Sequence, residues 1–358
     1  MSPNSLVAAD TMTSWEVGTF GLSHLAAVKR PVPRPGPREI LVRVAAVSLN
    51  YRDKLNAEGV LLPDLKLPYS PASDAVGEVA AIGSEVTRFR PGDRVMTHFI
   101  TDWIEGPVPP ARPVAGDRTT DGTVYGGTLG GPLPGVLSDY ILLHEESALA
   151  APPSLSDTEA ATLPIAALTA WFALFEVASL KPGTTVVVQG TGGVSLFGLQ
   201  FAAAAGARVI VTSRDAAKLE RAKALGAAAG IDTGRRPEWD KAVLELTGGR
   251  GADHILELVG GDNLVRSVRA AASGGRISQI GILAGTEASV PILPLMLKQV
   301  VLRGIVVGHR KAFEAMNAAI EATQMKPVID AVYPFDQVPQ AFTHLDRGPF
   351  GKIVIKVR

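Results

Sequence analysis

Residues 184–213, TTVVVQGTGGVSLFGLQFAAAAGARVIVTS, decide how the rest of the chain is read. A β-branched run over 184–188 meets glycines at 190, 192 and 193, then an Ala-rich apolar stretch, then a second β-branched run over 208–212. That order predicts strand, tight turn, helix, strand. A bulky residue at Gly190 or Gly192 would keep the backbone from a pyrophosphate. A helix opening near Val194 would aim its unpaired N–H groups and positive dipole end at that anion. The turn therefore reads as a dinucleotide site built from Gly190, Thr191, Gly192, Gly193 and Val194. The third fingerprint position holds Ser195 where glycine is usual, so the glycines alone are a weak signal and the flanking strands carry the reading.

Further strand-like runs follow downstream: AAGID (228–232), ADHILELV (252–259), GRISQIG (275–281) and VLRGIVVG (301–308). AAKLERAKALG and DNLVRSVRAAAS, both helical in pattern, separate them. Strand alternating with helix predicts an α/β fold with a doubly wound parallel sheet over 156–308. Gly281 and Ile282, where GRISQIG ends, are assigned to the cofactor as well. Upstream, EILVRVAAVSLN (39–50), GEVAAIG (77–83), RVMTHF (94–99) and LSDYILLHE (137–145) are short strands punctuated by Pro and Gly, predicting a β-rich domain over 1–155. Residues 1–14 read as a frayed leader. Residues 98–136 form a long Pro- and Gly-rich insertion in which Trp103 and Tyr125 are candidate anchors. Ser156 with Glu159 forms a capping box opening a helix expected to reach about residue 178. KAFEAMNAAIEAT predicts a helix, and FGKIVIKVR a closing strand.

A chain of 358 residues suggests two domains. Lys and Arg total 35, as do Asp and Glu, so no net field recruits nucleic acid or an anionic membrane. The chain has no cysteine, which excludes thiolate nucleophiles and every cysteine-based zinc site. With no secretory pattern and no long apolar span, a cytoplasmic location is expected.

The blocks EILVRVAAVSLNYRD, PASDAVGEVAAIGSEVTRFRPGDRV, LPIAALTAWFALF, LKPGTTVVVQGTGGVSLFGLQFA, LERAKALGA and FGKIVIKV, in this order, resemble the medium-chain dehydrogenase/reductase superfamily over nearly the full length. The resemblance implies a GroES-like, largely β catalytic domain, an inserted Rossmann domain, a return of 309–358 to the first domain, and a nicotinamide cofactor in the cleft between them. In that superfamily the alcohol dehydrogenases hold a catalytic zinc through Cys, His and usually a second Cys, with Glu beside the His. The corresponding positions are Asn50, Ser73, Ile165 and Asp74, which lack thiolate or imidazole. The chain is thus more similar to the zinc-free quinone oxidoreductase branch, and no metal is expected. The resemblance also implies that Lys352 contacts the pyrophosphate, that Thr169 lies near the nicotinamide, and that the edge strand VLRGIVVGH pairs with a second subunit in a homodimer.

The end of the second β-branched run selects the cofactor. An NAD-preferring fold places a carboxylate there for the ribose hydroxyls. Here Ser213 and Arg214 follow the strand and Lys218 lies a helical turn on, groups that donate to a 2′-phosphate. NADPH is predicted. Without a metal, hydrogen-bond donors must stabilise developing oxyanion charge, which suits quinones and α,β-unsaturated carbonyls. Asn50, Tyr51 and His98 are the candidate catalytic residues, Tyr51 as donor to the substrate oxygen, while Asp53 is expected to hold local structure. The alternatives are a metal-independent NAD(P)-dependent alcohol dehydrogenase and a crystallin-like nucleotide-binding protein with little catalysis.

Overall fold

The computed structural model describes residues 10–110 and 127–358, which divide into two compact units. The first comprises 1–165 and 309–358 and the second 166–308.

The first unit opens with β1 (Thr11–Val17) antiparallel to β2 (Leu25–Pro31). The frayed leader expected through residue 14 is therefore corrected from Thr11 onward: Trp15 and Val17 are buried, and burying them draws the segment into a hairpin. Residues 1–9 lie outside the described residues. β3 (Glu39–Leu49), α1 (Tyr51–Ala57), β4 (Asp74–Ile82), β5 (Arg94–Thr97), β6 (Tyr140–His144) and β7 (Ala148–Ala150) follow. β3 is the spine of this unit, pairing antiparallel with both β4 and β6.

The capping box at Ser156 and Glu159 forms, but α2 (Asp157–Ala160) is short and packs on β3 and β4. The single helix expected to about residue 178 instead breaks. Pro164 lacks the N–H a continuous α-helix needs. Leu163–Ala167 and Phe172–Val177 take wider turns around α3 (Leu168–Trp171), with Ala178 N–H reaching back five residues to Ala173 O at 3.2 Å.

The second unit continues with β8 (Thr185–Gln189), α4 (Gly193–Ala204), β9 (Arg208–Ser213), α5 (Ala216–Ala224), β10 (Ala229–Asp232), α6 (Trp239–Leu246), β11 (Ala252–Glu257), α7 (Asn263–Ala270), β12 (Ala271–Gln279), α8 (Ile292–Leu297) and β13 (Val301–Gly304). Its six strands are all parallel in the order β10-β9-β8-β11-β12-β13. This is the doubly wound order, and the reversal between β8 and β11 opens a crevice at their carboxyl ends. Val186, Val187 and Val188 of β8 are fully buried, as a central strand covered on both faces requires.

The chain then returns to the first unit through α9 (Arg310–Thr323), β14 (Ile329–Pro334), α10 (Val338–Asp346) and β15 (Lys352–Lys356). β15 lies between β14 and β3, completing a seven-stranded sheet. Among the described residues no helix is long and apolar enough to cross a membrane.

Candidate active site

At the carboxyl end of β8, Gly190 turns the chain with φ +79°, a conformation L side chains rarely adopt. Gly192 then caps α4 without any side-chain bond, and a Cβ built on it would meet nothing within 4 Å. The N-terminus of this twelve-residue helix is therefore capped by no side chain, which suits anion binding. Ser195 Oγ donates to Gln189 O at 2.7 Å and locks the turn. The close helix-to-sheet approach falls at Gly198, whose Cβ would lie 2.5 Å from Leu256 Cδ1. The missing third glycine is thus offset by Ser195 and by Gly198 one turn later.

A buried carboxylate that the sequence reading missed organises the crevice. Glu257 is fully buried at the end of β11. It accepts from Gln189 Nε2 at 2.9 Å, the Gly260 N–H at 3.0 Å and Asn263 Nδ2 at 2.9 Å. It therefore ties the ends of β8 and β11 to the following loop. Beside it, a Cβ on Gly281 would lie 1.9 Å from Leu258 O, so only glycine fits where β12 leaves the sheet, and Ile282 beyond it is 38% exposed. Thr169 is buried on α3.

At the end of β9, the Asp215 N–H donates to Ser213 Oγ at 3.1 Å, leaving the serine O–H available to donate. Asp215 caps α5 by accepting from the Lys218 N–H at 3.1 Å. Its carboxylate is thereby turned to the helix it starts. Arg214 is exposed.

In the first unit, Asn50 and Asp53 form a capping box on α1, with the Asn50 N–H donating to Asp53 Oδ2 at 2.8 Å. Burial pushes the Asp53 carboxyl upward, against the pull of Arg52. The Asn50 side chain donates to Asp74 Oδ2 at 2.9 Å and accepts from Lys352 Nζ at 2.6 Å. The Ile165 N–H also donates to Asp74 Oδ2, at 3.3 Å. Burial pushes Asp74 up to about 7, opposed by Lys352 and the Asn50 bond. Burial pushes the Lys352 ammonium downward. Lys352 lies in the interior, donating to Leu49 O at 2.7 Å as well as to Asn50.

Tyr51 opens α1 and is 39% exposed, more open than a packed tyrosine. His98 is fully buried, its ring 6.4 Å from Phe313. Arg52, also missed from the sequence, donates to Ser73 Oγ at 2.8 Å, Leu129 O at 3.1 Å and Gly131 O at 3.0 Å. It fastens the end of the long insertion to α1. Trp103 anchors the other end, buried and donating to Gly106 O at 3.0 Å, while Tyr125 lies outside the described residues.

Comparison with known proteins agrees with this architecture. An alcohol dehydrogenase GroES-like domain model matches residues 36–153, and a zinc-binding dehydrogenase model matches 193–322. The chain is 39% identical over 346 residues to a zinc-type alcohol dehydrogenase-like protein of Schizosaccharomyces pombe, covering 94% of this chain and 96% of that one. It is 27% identical over 360 residues to the quinone oxidoreductase of Lama guanicoe, covering 97% and 98%. A solved structure from Sinorhizobium meliloti 1021, with a provisional alcohol dehydrogenase name, superposes with a TM-score of 0.90 at 52% identity, over 98% of this chain and 100% of that one.

The family implies a zinc ion, and the residues at the corresponding positions do not fit one. Asn50 Oδ1, the oxygen a metal would take, accepts from the Lys352 ammonium. The Ser73 hydroxyl donates to Leu129 O at 2.8 Å, and Ile165, whose side chain is a hydrocarbon with no ligand atom, donates its N–H to Asp74. Among the described residues no three His, Cys, Asp or Glu side chains gather to hold a metal. The nicotinamide nucleotide that the family uses does fit, since the glycine turn leaves its anion cradle open. Two domain matches in sequence order and relatives aligned from end to end make the chain an oxidoreductase of the medium-chain dehydrogenase/reductase superfamily, of the alcohol dehydrogenase-like and quinone oxidoreductase-like kind.

Proposed function

We propose that the protein is an NADPH-dependent, zinc-independent reductase of quinones or α,β-unsaturated carbonyls. The observation that carries this reading is the Lys352–Asn50–Asp74 chain, which puts an ammonium and an amide where a zinc enzyme needs thiolate and imidazole. When bound, the nicotinamide nucleotide supplies the hydride. The turn from Gly190 through Gly193 and Val194, with Thr191 between the glycines, binds its diphosphate. Ser213, Arg214 and Lys218 take the 2′-phosphate, with the Asp215 carboxylate held at the start of α5. Gly281 and Ile282 border the nucleotide from β12, and Thr169 lies near its nicotinamide.

Asn50 and Tyr51 donate hydrogen bonds to the substrate oxygen as it gains negative charge. A conjugated substrate spreads that charge, so neutral donors suffice. His98, buried against Phe313, packs rather than transfers a proton. The alcohol dehydrogenase names of two relatives favour a second reading, oxidation of an alcohol at the same donors without metal. Steady-state comparison of NADPH with NADH, using a quinone and an enone as acceptors, tests the reading. A clear preference for NADH removes the 2′-phosphate assignment, and turnover of alcohols alone selects the second reading.

The edge strand β13 and helix α8 expose the large apolar side chains of Leu302, Val301, Ile292, Leu293, Met296 and Leu297. We assign this edge to a second copy of this chain, pairing β13 across a twofold axis.

A further inference from the structure

We propose that Lys352 is a positioning residue for Asn50, and that its ammonium supplies at the reaction site the positive charge a metal supplies elsewhere in the family. The proposal rests on the metal-independent reductase reading above.

Lys352 is 3% exposed. An ammonium withdrawn this far from water is costly unless partnered. Its Nζ donates to Leu49 O at 2.7 Å and Asn50 Oδ1 at 2.6 Å, and lies 3.9 Å from Asp74 Oδ2. These partners come from the end of β3, the cap of α1 and the first residue of β4, so the cation is held by three separate elements. With both bonds directed inward to its own unit, Lys352 is placed to act on Asn50 rather than on a pyrophosphate.

A carboxamide has an acceptor end and a donor end. In Asn50 the acceptor takes the ammonium, and one donor hydrogen goes to Asp74 at 2.9 Å. Flipping the amide would set NH₂ against an ammonium and oxygen against a carboxylate, so both charges fix one orientation. Asp74 uses one of the two amide hydrogens. Of the three side chains, Lys352 and Asp74 are buried and Asn50 alone is partly exposed. The hydrogen left over is therefore the group this cluster offers outward. A cation on the amide oxygen draws electron density from nitrogen, which strengthens that N–H as a donor to a developing oxyanion.

The test measures K352M, D74N and the double variant for NADPH affinity by fluorescence titration, for kcat and KM with cyclohex-2-en-1-one, and for melting temperature. K352M should bind NADPH within about twofold of the wild type and lose about tenfold or more in kcat, the scale of a misplaced oxyanion donor. Its melting temperature should fall, because Asp74 is left buried without a cation, and D74N in the same chain should restore most of that loss without restoring kcat. If K352M does not fold, the double variant, which buries no lone charge, carries the same kcat comparison. Weakened NADPH binding with kcat intact at saturation would make Lys352 a pyrophosphate contact and overturn the proposal. Recovery of kcat together with stability in the double variant would overturn it too, by reducing Lys352 to a structural role. Wild-type protein that fails to oxidise NADPH with the enone overturns the functional reading itself, and this proposal with it.

Discussion

The carboxyl edge of the parallel sheet and the polar cluster of the β-rich unit solve opposite problems. At the sheet edge, Gly190 turns the chain, Gly192 leaves space and Gly281 admits a close backbone approach, and in the proposed function main-chain N–H groups meet the nucleotide's charge. In the β-rich unit the charges are already inside: Asp74 and Lys352 are buried and joined through one amide. The first region is built from what side chains leave out, and the second from charges that must be balanced before any ligand arrives. The first should therefore tolerate changes that empty space allows, whereas the second should respond to any change of charge.

The largest effect sharpens this contrast within the sheet edge itself. Gly281→Ala would place a methyl 1.9 Å from Leu258 O, and should destabilise the chain by about 3 kcal/mol in urea unfolding. A change below about 0.5 kcal/mol would mean the backbone there gives way easily.

Titration separates the two regions next. His254, buried on β11 and bonded to Ser278 Oγ at 2.9 Å, is lowered to about 4 by burial and secondarily by Arg276. Its folded pKa lies below its usual 6.5, so the stability it contributes is present above about 6.5 and is lost as pH falls toward about 4, by about 3 kcal/mol. Asp74 runs the other way. Raised to about 7 by burial, and faced by Lys352 and Asp53, it contributes stability that is full below about 4 and lost as pH rises through about 7. Unfolding measured across this range should show His254→Gln flattening the acid limb and D74N removing the loss of stability between about pH 4 and about pH 7. Parallel curves for either variant and the wild type would remove that residue from the account.

Smaller effects concern the nucleotide. Ser213→Asp should move the ratio of kcat/KM for NADPH over NADH by about 30-fold toward NADH, roughly 2 kcal/mol, because a carboxylate repels a 2′-phosphate. An unchanged ratio would show that the phosphate is read elsewhere. Gly192→Ala has φ −80° and open space at its Cβ. It should leave stability within about 0.5 kcal/mol while weakening NADPH binding about tenfold, and calorimetry showing wild-type affinity would contradict the cradle. The smallest change is Leu302→Lys on the exposed edge of β13, which should shift sedimentation from dimer to monomer with the fold intact. A monomeric wild type would dismiss the edge as an interface.

The sheet was legible in sequence because its signals are local. Alternation of β-branched runs with Ala-rich stretches, punctuated by glycine, marked all six strands of the parallel sheet. The cluster was only partly legible. The resemblance grouped Asn50, Asp74 and Ile165, but Lys352 meets Asn50 from 302 residues away, and nothing local says that a lysine in a closing strand bonds an asparagine at a helix cap. β14 went unread for the same reason, since its partner β15 lies beyond an intervening helix. The capping box at Ser156 was correct while the length of its helix was not, because Pro164 breaks the hydrogen-bond ladder that the alanines suggest.

The most direct measurement is turnover by protein dialysed against a strong chelator, with its metal content determined and NADPH oxidation followed in the presence of an enone. The account predicts full activity with zinc far below one equivalent. Loss of activity on dialysis, restored by stoichiometric zinc, would contradict it.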